Sequence, residues 1–371
     1  MITLASVIEL FKADFLTKYQ AQCRDNQVTA LHAMRCCRTQ MSPLMKLNCT
    51  GCEYYSFVPH SCGHRNCPHC QHFESQKWID RQAQRHVPAN YFMNTFTLPA
   101  QLRGLARREP SLMYKLMFEC AWATLQDFSK NDQQLQGDAG AIAVLHTHSR
   151  ELNYHPHIHV VMPAAIVDKD NNVWRTKDSK YLFNHKALAK VFRAKLLTRM
   201  KEEKLSFPDN IPKVWVVNCQ FVGAGDKALI YLGRYLYRGV IREADILSCE
   251  NGQVTYRYQD SKTKRYKQKT VSGADFLWLV IQHVLPKGFR RARNFGFLHP
   301  NSKKAIQLIY KLLKLNPIKF ETIAKPRPQF KCPCCDKPMI VVRTCIAKDE
   351  VDRIVQQKGK PKERLENCHA V

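Results

Sequence analysis

The chain has 371 residues, 45% of them hydrophobic, which suffices for one large domain with appendages or for two to three domains. Its 58 Lys+Arg against 31 Asp+Glu leave a formal charge of +27. An enzyme of neutral small substrates gains nothing from that self-repulsion, whereas a polyphosphate partner offsets it through counterion release. Nucleic acid is therefore the expected partner, with RNA or an anionic membrane surface as the blander reading. No apolar run approaches the ~20 residues of a bilayer span, and Glu9, Lys12 and Asp14 interrupt the apolar N-terminus as a secretory segment. A cytoplasmic, nucleoid-associated protein is expected, so its 16 cysteines point to metal rather than to disulfides.

Leu4, Ile8, Phe11 and Phe15 share one face of an N-terminal amphipathic helix. Five cysteines then fall between positions 49 and 70, and three more at 332 to 335. Cys49-x2-Cys52 followed by Cys67-x2-Cys70 has the spacing of a closed, structural zinc site, each pair forming one turn that presents two thiolates. Cys62 and His64 could substitute for one of these ligands or help hold a second ion alongside Cys36 or Cys37, but ordinary packing and polar surface is the preferred reading of all four. At the other end Cys332 and Cys335 offer a half-site, with Cys345 or Cys368 and His369 to complete it. The composition divides the chain into a zinc-binding DNA-recognition module (1–86), a large central domain (87–300) and a tail (301–371).

The central domain alternates strands and helices. Strands are expected at Tyr91–Leu98, Ala141–Thr147, His157–Met162, Val173–Trp174 and Lys213–Val222, with helices at Ser111–Ser129, Lys186–Lys204 and from Asp226 to about Gly239. That order gives an α+β fold, an antiparallel or mixed sheet with helices on one face.

His157 and His159 stand two residues apart on one of these strands and project from the same face, while Ile158 and Val160 face the core. Two neutral imidazoles converging this way suit a divalent metal. A third protein ligand is needed, and His148, Glu151 and His155 are the candidates. Scissile phosphate oxygens in the open positions favour Mg²⁺ or Mn²⁺ acting as a Lewis acid.

On the last helix Tyr231, Arg234, Tyr235 and Arg238 fall in one sector, opposite Leu229, Leu232, Leu236 and Val240. The phenols either coat a DNA-facing surface or one of them attacks a phosphodiester, which a neighbouring metal and guanidinium charge would assist. Lys262, Lys264, Arg265, Lys267 and Lys269 surround Tyr266 in a hairpin pattern, and Arg290, Arg291 and Arg293 alternate with Phe289, Phe295 and Phe297. Basic residues among aromatics suit single-stranded nucleic acid, whose bases stack and whose phosphates need cations.

These segments, in this order, resemble the rolling-circle insertion-sequence transposases of the HUH (His-hydrophobe-His) class that carry paired tyrosines, the IS91 type. Ser61-Cys62-Gly63-His64-Arg65-Asn66-Cys67-Pro68-His69-Cys70-Gln71 is similar to the family's zinc-binding signature. Phe96-Thr97-Leu98-Pro99 resembles its first catalytic strand, His155-Pro156-His157-Ile158-His159 its metal strand, and Tyr231-Leu232-Gly233-Arg234-Tyr235 its tyrosine helix. His283-Val284-Leu285-Pro286-Lys287-Gly288-Phe289 with Arg291-Ala292-Arg293 resembles a late family segment, and Cys332 and Cys335 a tail knuckle. Met45 stands where the family often carries a His before the first Cys pair.

The resemblance implies an HUH-type central antiparallel sheet, a catalytic ion on His157 and His159, and Tyr231 and Tyr235 as nucleophiles that nick and rejoin single-stranded DNA through a 5′-phosphotyrosine. A plasmid replication initiator or relaxase would use the same chemistry. A non-catalytic, zinc-dependent DNA-binding protein predicts no covalent adduct at all.

Overall fold

A computed structural model describes residues 2–68, 70, 72–237, 239–260, 263–314 and 329–358. The chain opens on helix α1 (Leu4–Tyr19), started by a reciprocal cap between Thr3 and Ser6 and burying Leu4, Val7, Ile8, Phe11 and Phe15. Helix α2 (Asp25–Cys36) leads to a hairpin of β1 (Leu44–Cys49) and β2 (Tyr55–Pro59), then α3 (His72–Ala83).

The centre comprises β3 (Tyr91–Thr97), α4 (Arg103–Arg108), α5 (Pro110–Asn131), β4 (Asp138–His148), β5 (Tyr154–Pro163), β6 (Ala165–Asp168), β7 (Val173–Thr176), α6 (His185–Glu202), β8 (Val217–Phe221) and α7 (Asp226–Tyr237). Its strands lie in the order β7-β6-β4-β5-β3-β8, and each of these neighbours is antiparallel. Phe118, Leu125, Phe192 and Leu196 of α5 and α6 bury one face against Phe96, Leu145, Ile158 and Val160. On the other face Trp78 of α3 and Leu229, Leu232 and Leu236 of α7 meet Ile142, Val144 and Val161. Helices thus cover both faces, not one as expected. The cause is in the strands: β4 is buried from Ala139 to Thr147, so neither of its faces can be left to water.

A small antiparallel sheet follows, β9 (Ile246–Glu250), β10 (Gln253–Gln259) and β11 (Tyr266–Ser272), and then α8 (Gly273–Ile281). Strand β12 (Ala292–Gly296) joins the central sheet against β4, pairing Ala292 with Val144. Helix α9 (Lys303–Leu312), β13 (Phe330–Lys331), β14 (Pro338–Ile346) and α10 (Lys348–Lys358) complete the described chain.

Contacts cross both boundaries read from composition. The stripe of α1 packs on α8 so closely that a Cβ at Gly273 would lie 2.1 Å from the Phe11 ring. Strand β14 pairs antiparallel with β1, placing Met339 opposite Cys49 in a sheet ordered β13-β14-β1-β2. Composition registers linkers; it carries no record of strands pairing across almost 300 residues.

Candidate active site and metal centres

Antiparallel pairing sets His146 of β4 opposite His157 of β5, and Thr95 of β3 opposite His159. The three imidazoles of His146, His157 and His159 converge, one nitrogen of each lying within 4.8 Å of the others. The Nδ1 of His157 donates to the His155 carbonyl at 2.7 Å, and the Nδ1 of His159 sits 2.9 Å from the Thr95 hydroxyl. Both rings are thereby oriented with Nε2 left over. Nε2 of His146 is buried and has no hydrogen-bond partner. Desolvation by burial keeps all three rings neutral, with His157 lowered to about 4, His159 to about 3 and His146 well below its usual value. Three neutral imidazoles facing one point, one of them an orphan, fit a divalent cation.

His146 takes the third position, and the expected candidates do not. His148 lies beyond a register shift in the β4–β5 pairing and holds the Tyr235 hydroxyl, 2.9 Å from its Nδ1. The Nδ1 of His155 accepts from Arg103 at 2.6 Å, and the Glu151 carboxylate accepts from Asn153 at 3.2 Å. The signal for His146 was its place near the end of an apolar strand, but only the register decides which histidine faces the pair.

Helix α7 lies across this histidine patch. Tyr231 is 47% exposed, its ring centroid 6.1 Å from that of His146 and 5.9 Å from that of His159. Tyr235 instead turns inward and stacks on His146, centroids 3.2 Å apart and planes 13° from parallel. The expected pair of outward phenols is thus split. Tyr235 sits three residues from the fully buried Leu232, about 60° round the helix, at the margin of the buried sector. Burial raises both phenols above their usual range, Tyr235 the more strongly. Gly233 faces α3, where its carbonyl accepts from the Ser75 hydroxyl at 2.8 Å and a Cβ would come within 2.3 Å of Ile79.

Of the expected DNA-contacting residues, Arg234, Arg290, Lys264 and Arg265 are exposed, and Arg238 lies outside the described residues. Arg291 points inward, donating to the Leu236 carbonyl at 3.1 Å, and desolvation lowers its pKa. Arg293 lies over the Phe118 ring, 4.5 Å from its centroid. Both guanidiniums are held within the fold, Arg291 just before β12 by a carbonyl of α7 and Arg293 on β12 by a ring of α5.

The cysteines group differently from the expectation. Cys49, Cys52, Cys67 and Cys70 do not form one site. Cys67 and Cys70 join Cys37 and Cys62, with sulfurs 3.4 Å (Cys37–Cys70), 3.5 Å (Cys37–Cys67) and 3.7 Å (Cys62–Cys70) apart. Cys49 and Cys52 join Cys332 and Cys335, at 3.4 Å (Cys49–Cys335), 3.6 Å (Cys52–Cys332) and 3.7 Å (Cys52–Cys335). A tetrahedron of sulfurs about 2.3 Å from zinc has edges of about 3.8 Å, whereas a disulfide is about 2.05 Å. Both groups therefore have the dimensions of tetrathiolate zinc sites. The Gly51 N–H on Cys49 (3.2 Å) and the Cys334 N–H on Cys332 (3.4 Å) are further donors to thiolate sulfur. Each Cys-x2-Cys is a half-site: β1–β14 pairing brings Cys332 and Cys335 to Cys49 and Cys52, while Cys37 and Cys62 complete the group of Cys67 and Cys70. Cys345 is exposed and outside the cluster, and Cys368 and His369 lie outside the described residues.

Two zinc-dimensioned cysteine groups, a three-histidine cluster on the sheet and a tyrosine helix beside it have the layout of a metal-binding class of protein. Comparison with known proteins makes the class specific. Residues 7–98 match the family model described as "Transposase zinc-binding domain", and residues 140–305 match that described as "Putative transposase". The chain is 28% identical over 313 residues to "Putative transposase y4qJ" of Sinorhizobium fredii, covering 78% of this chain and 77% of that protein. It is 29% identical over 299 residues to "Transposase for insertion sequence element IS801" of Pseudomonas savastanoi pv. phaseolicola, covering 74% and 71%. The chain belongs to the IS91-type transposase family, with that family's N-terminal zinc-binding domain. Among the described residues no helix is long and apolar enough to cross a membrane.

Proposed function

We propose that the protein cleaves and rejoins single-stranded DNA at the ends of a mobile element, and that Tyr231 is the first nucleophile. The observation that carries this reading is one half-exposed phenol within 6.1 Å, ring to ring, of an imidazole cluster suited to a metal. A divalent ion on His146, His157 and His159 supplies Lewis acidity to a scissile phosphate. Three imidazoles favour Mn²⁺ over the harder Mg²⁺. The Tyr231 oxygen forms a bond to phosphorus, the bond to the 3′-oxygen breaks, the phenol loses its proton and the departing 3′-oxygen gains one. The resulting 5′-phosphotyrosine keeps the bond energy for rejoining, which hydrolysis would discard. Tyr235 serves a second strand only after it leaves the His148 hydrogen bond and the His146 stack. The two tetrathiolate groups each hold a structural zinc, and the second fastens the C-terminal strand to the N-terminal hairpin.

The test incubates protein, Mn²⁺ and labelled single-stranded element ends, and maps any SDS-resistant adduct by mass spectrometry. The adduct is expected on Tyr231, and is expected to vanish in Tyr231→Phe, in His157→Ala and on chelation. An adduct that persists in Tyr231→Phe overturns the order of attack. One that survives chelation overturns the metal's part.

A further inference from the structure

A cavity of about 430 Å³ opens beside Tyr231, between α7 and the β10–β11 hairpin. Its walls combine two chemistries. Tyr266 of β11 is 59% exposed, unusual for a large aromatic, and the Arg257 guanidinium lies 5.2 Å from its ring centroid. Arg242 and Arg257 both grip Asp245, at 2.6 and 2.8 Å from Arg242 and 2.9 Å from Arg257. One carboxylate thus fixes two guanidiniums in place while leaving a positive excess. Arg150, held on Gln259 at 3.2 Å, adds a third guanidinium near the Tyr231 side. The buried Tyr256 closes the floor.

We propose that this cavity takes one unpaired nucleotide of the bound strand, its base on Tyr266 and its phosphate on Arg242 and Arg257. An aromatic face next to fixed guanidiniums complements a base joined to a phosphate, and neither an apolar ligand nor a cation. A base can lie on Tyr266 only when it is free of its neighbours in a duplex stack, which selects single strands or a base turned out of a duplex. Exposed Lys264 and Arg265 lie at the tip of the same hairpin, next to Tyr266 in the chain, and add positive charge there. The inference rests on the proposed function only in that the strand must pass Tyr231. The occupied cavity would then fix the step at which the strand is cut, by setting the distance from an anchored base to the phenol.

The full-length protein is mixed with an oligonucleotide of about 20 thymidines, with no Mg²⁺ or Mn²⁺ added, so that binding is measured apart from cleavage. With 5-iododeoxyuridine in the oligonucleotide, photocrosslinks are expected at Tyr266. Tyr266→Ala is expected to weaken single-strand binding roughly tenfold, the size of one lost base–aromatic stack. Tyr266→Phe should restore it, because a ring without the hydroxyl still stacks. Binding of a blunt duplex should be the same in all three proteins. Crosslinks confined to other surfaces, or a Tyr266→Ala loss that is equal on duplex and single strand, would overturn the proposal. Adduct formation with Mn²⁺ is read separately. Failure there with the binding pattern intact strikes the proposed chemistry and leaves the cavity's ligand standing.

Discussion

The second cysteine group gives the sharpest prediction, because exposure and metal coordination forecast opposite results at neighbouring sulfurs. Cys52, Cys334 and Cys335 are all exposed. By accessibility alone an alkylating reagent should modify the three at similar rates. If zinc joins Cys49, Cys52, Cys332 and Cys335, then Cys52 and Cys335 are protected while Cys334, outside the cluster, reacts at once. The energetics point the same way. Among its described residues this sheet buries few large apolar side chains, chiefly Leu47, Cys332, Met339 and Ile346. Their burial contributes roughly 6 kcal/mol, while ordering roughly 20 strand residues costs on the order of 20 kcal/mol. A structural zinc, at roughly 10–16 kcal/mol in small zinc modules, makes up the difference.

The assay is peptide mass spectrometry after brief treatment of the native protein with N-ethylmaleimide, before and after a chelator. Chelation should expose all four ligands together, raise hydrogen exchange across β14, and release zinc. Metal analysis of purified protein should give two tightly held zinc ions. Cys332→Ser combined with Cys335→Ser should leave one, and Cys62→Ser should also leave one. Labelling of Cys335 as fast as Cys334 in zinc-loaded protein would refute the reasoning, as would two zinc ions surviving in the double variant.

His146→Ala should cost Mn²⁺ affinity about 100-fold or more, at least as much as loss of an orienting partner of a metal ligand. His148→Ala should leave that affinity nearly unchanged, and calorimetry of the two variants separates the assignments. A Cβ at Gly233 would press on Ile79, so Gly233→Ala should destabilise the protein by about 1–3 kcal/mol and lower adduct yield by shifting α7. An unchanged melting temperature would show that α3 and α7 have slack that this packing does not suggest.

Parts of the site were open to reading from the chain alone, and the reason is periodicity. His157 and His159 are fixed on one face by the two-residue repeat of a strand, and nothing in the tertiary fold can separate them. The same holds for the buried stripe of α1. What depended on register was not readable. His146 and His148 have the same parity, and only the irregularity between them, opposite β5, decides that the first faces the pair and the second faces Tyr235. Tyr235 was misplaced because a helical wheel gives angles without saying how wide the buried sector is. The cysteines were misgrouped because Cys-x2-Cys announces half a site and is silent about the other half.

The position of the tyrosine helix follows from the first cysteine group as much as from the sheet. Helix α3 begins two residues after Cys70, and its Ser75 and Ile79 lie against Gly233. The backbone at Gly239, just past α7, abuts the cysteine loop itself, where a Cβ would lie 3.2 Å from Pro68 and 3.3 Å from the Asn66 carbonyl. In the same loop Arg65 donates to the carbonyls of Phe289 at 2.7 Å and Pro286 at 2.9 Å, and Arg291 a few residues on holds the Leu236 carbonyl. The loop of the Cys37–Cys62–Cys67–Cys70 group is therefore wedged between the end of α7 and the approach to β12. Its sulfurs are remote in role from the histidines, yet loosening them would release the two contacts that fix where Tyr231 stands. A centre that performs no chemistry can in this way govern the geometry of one that does.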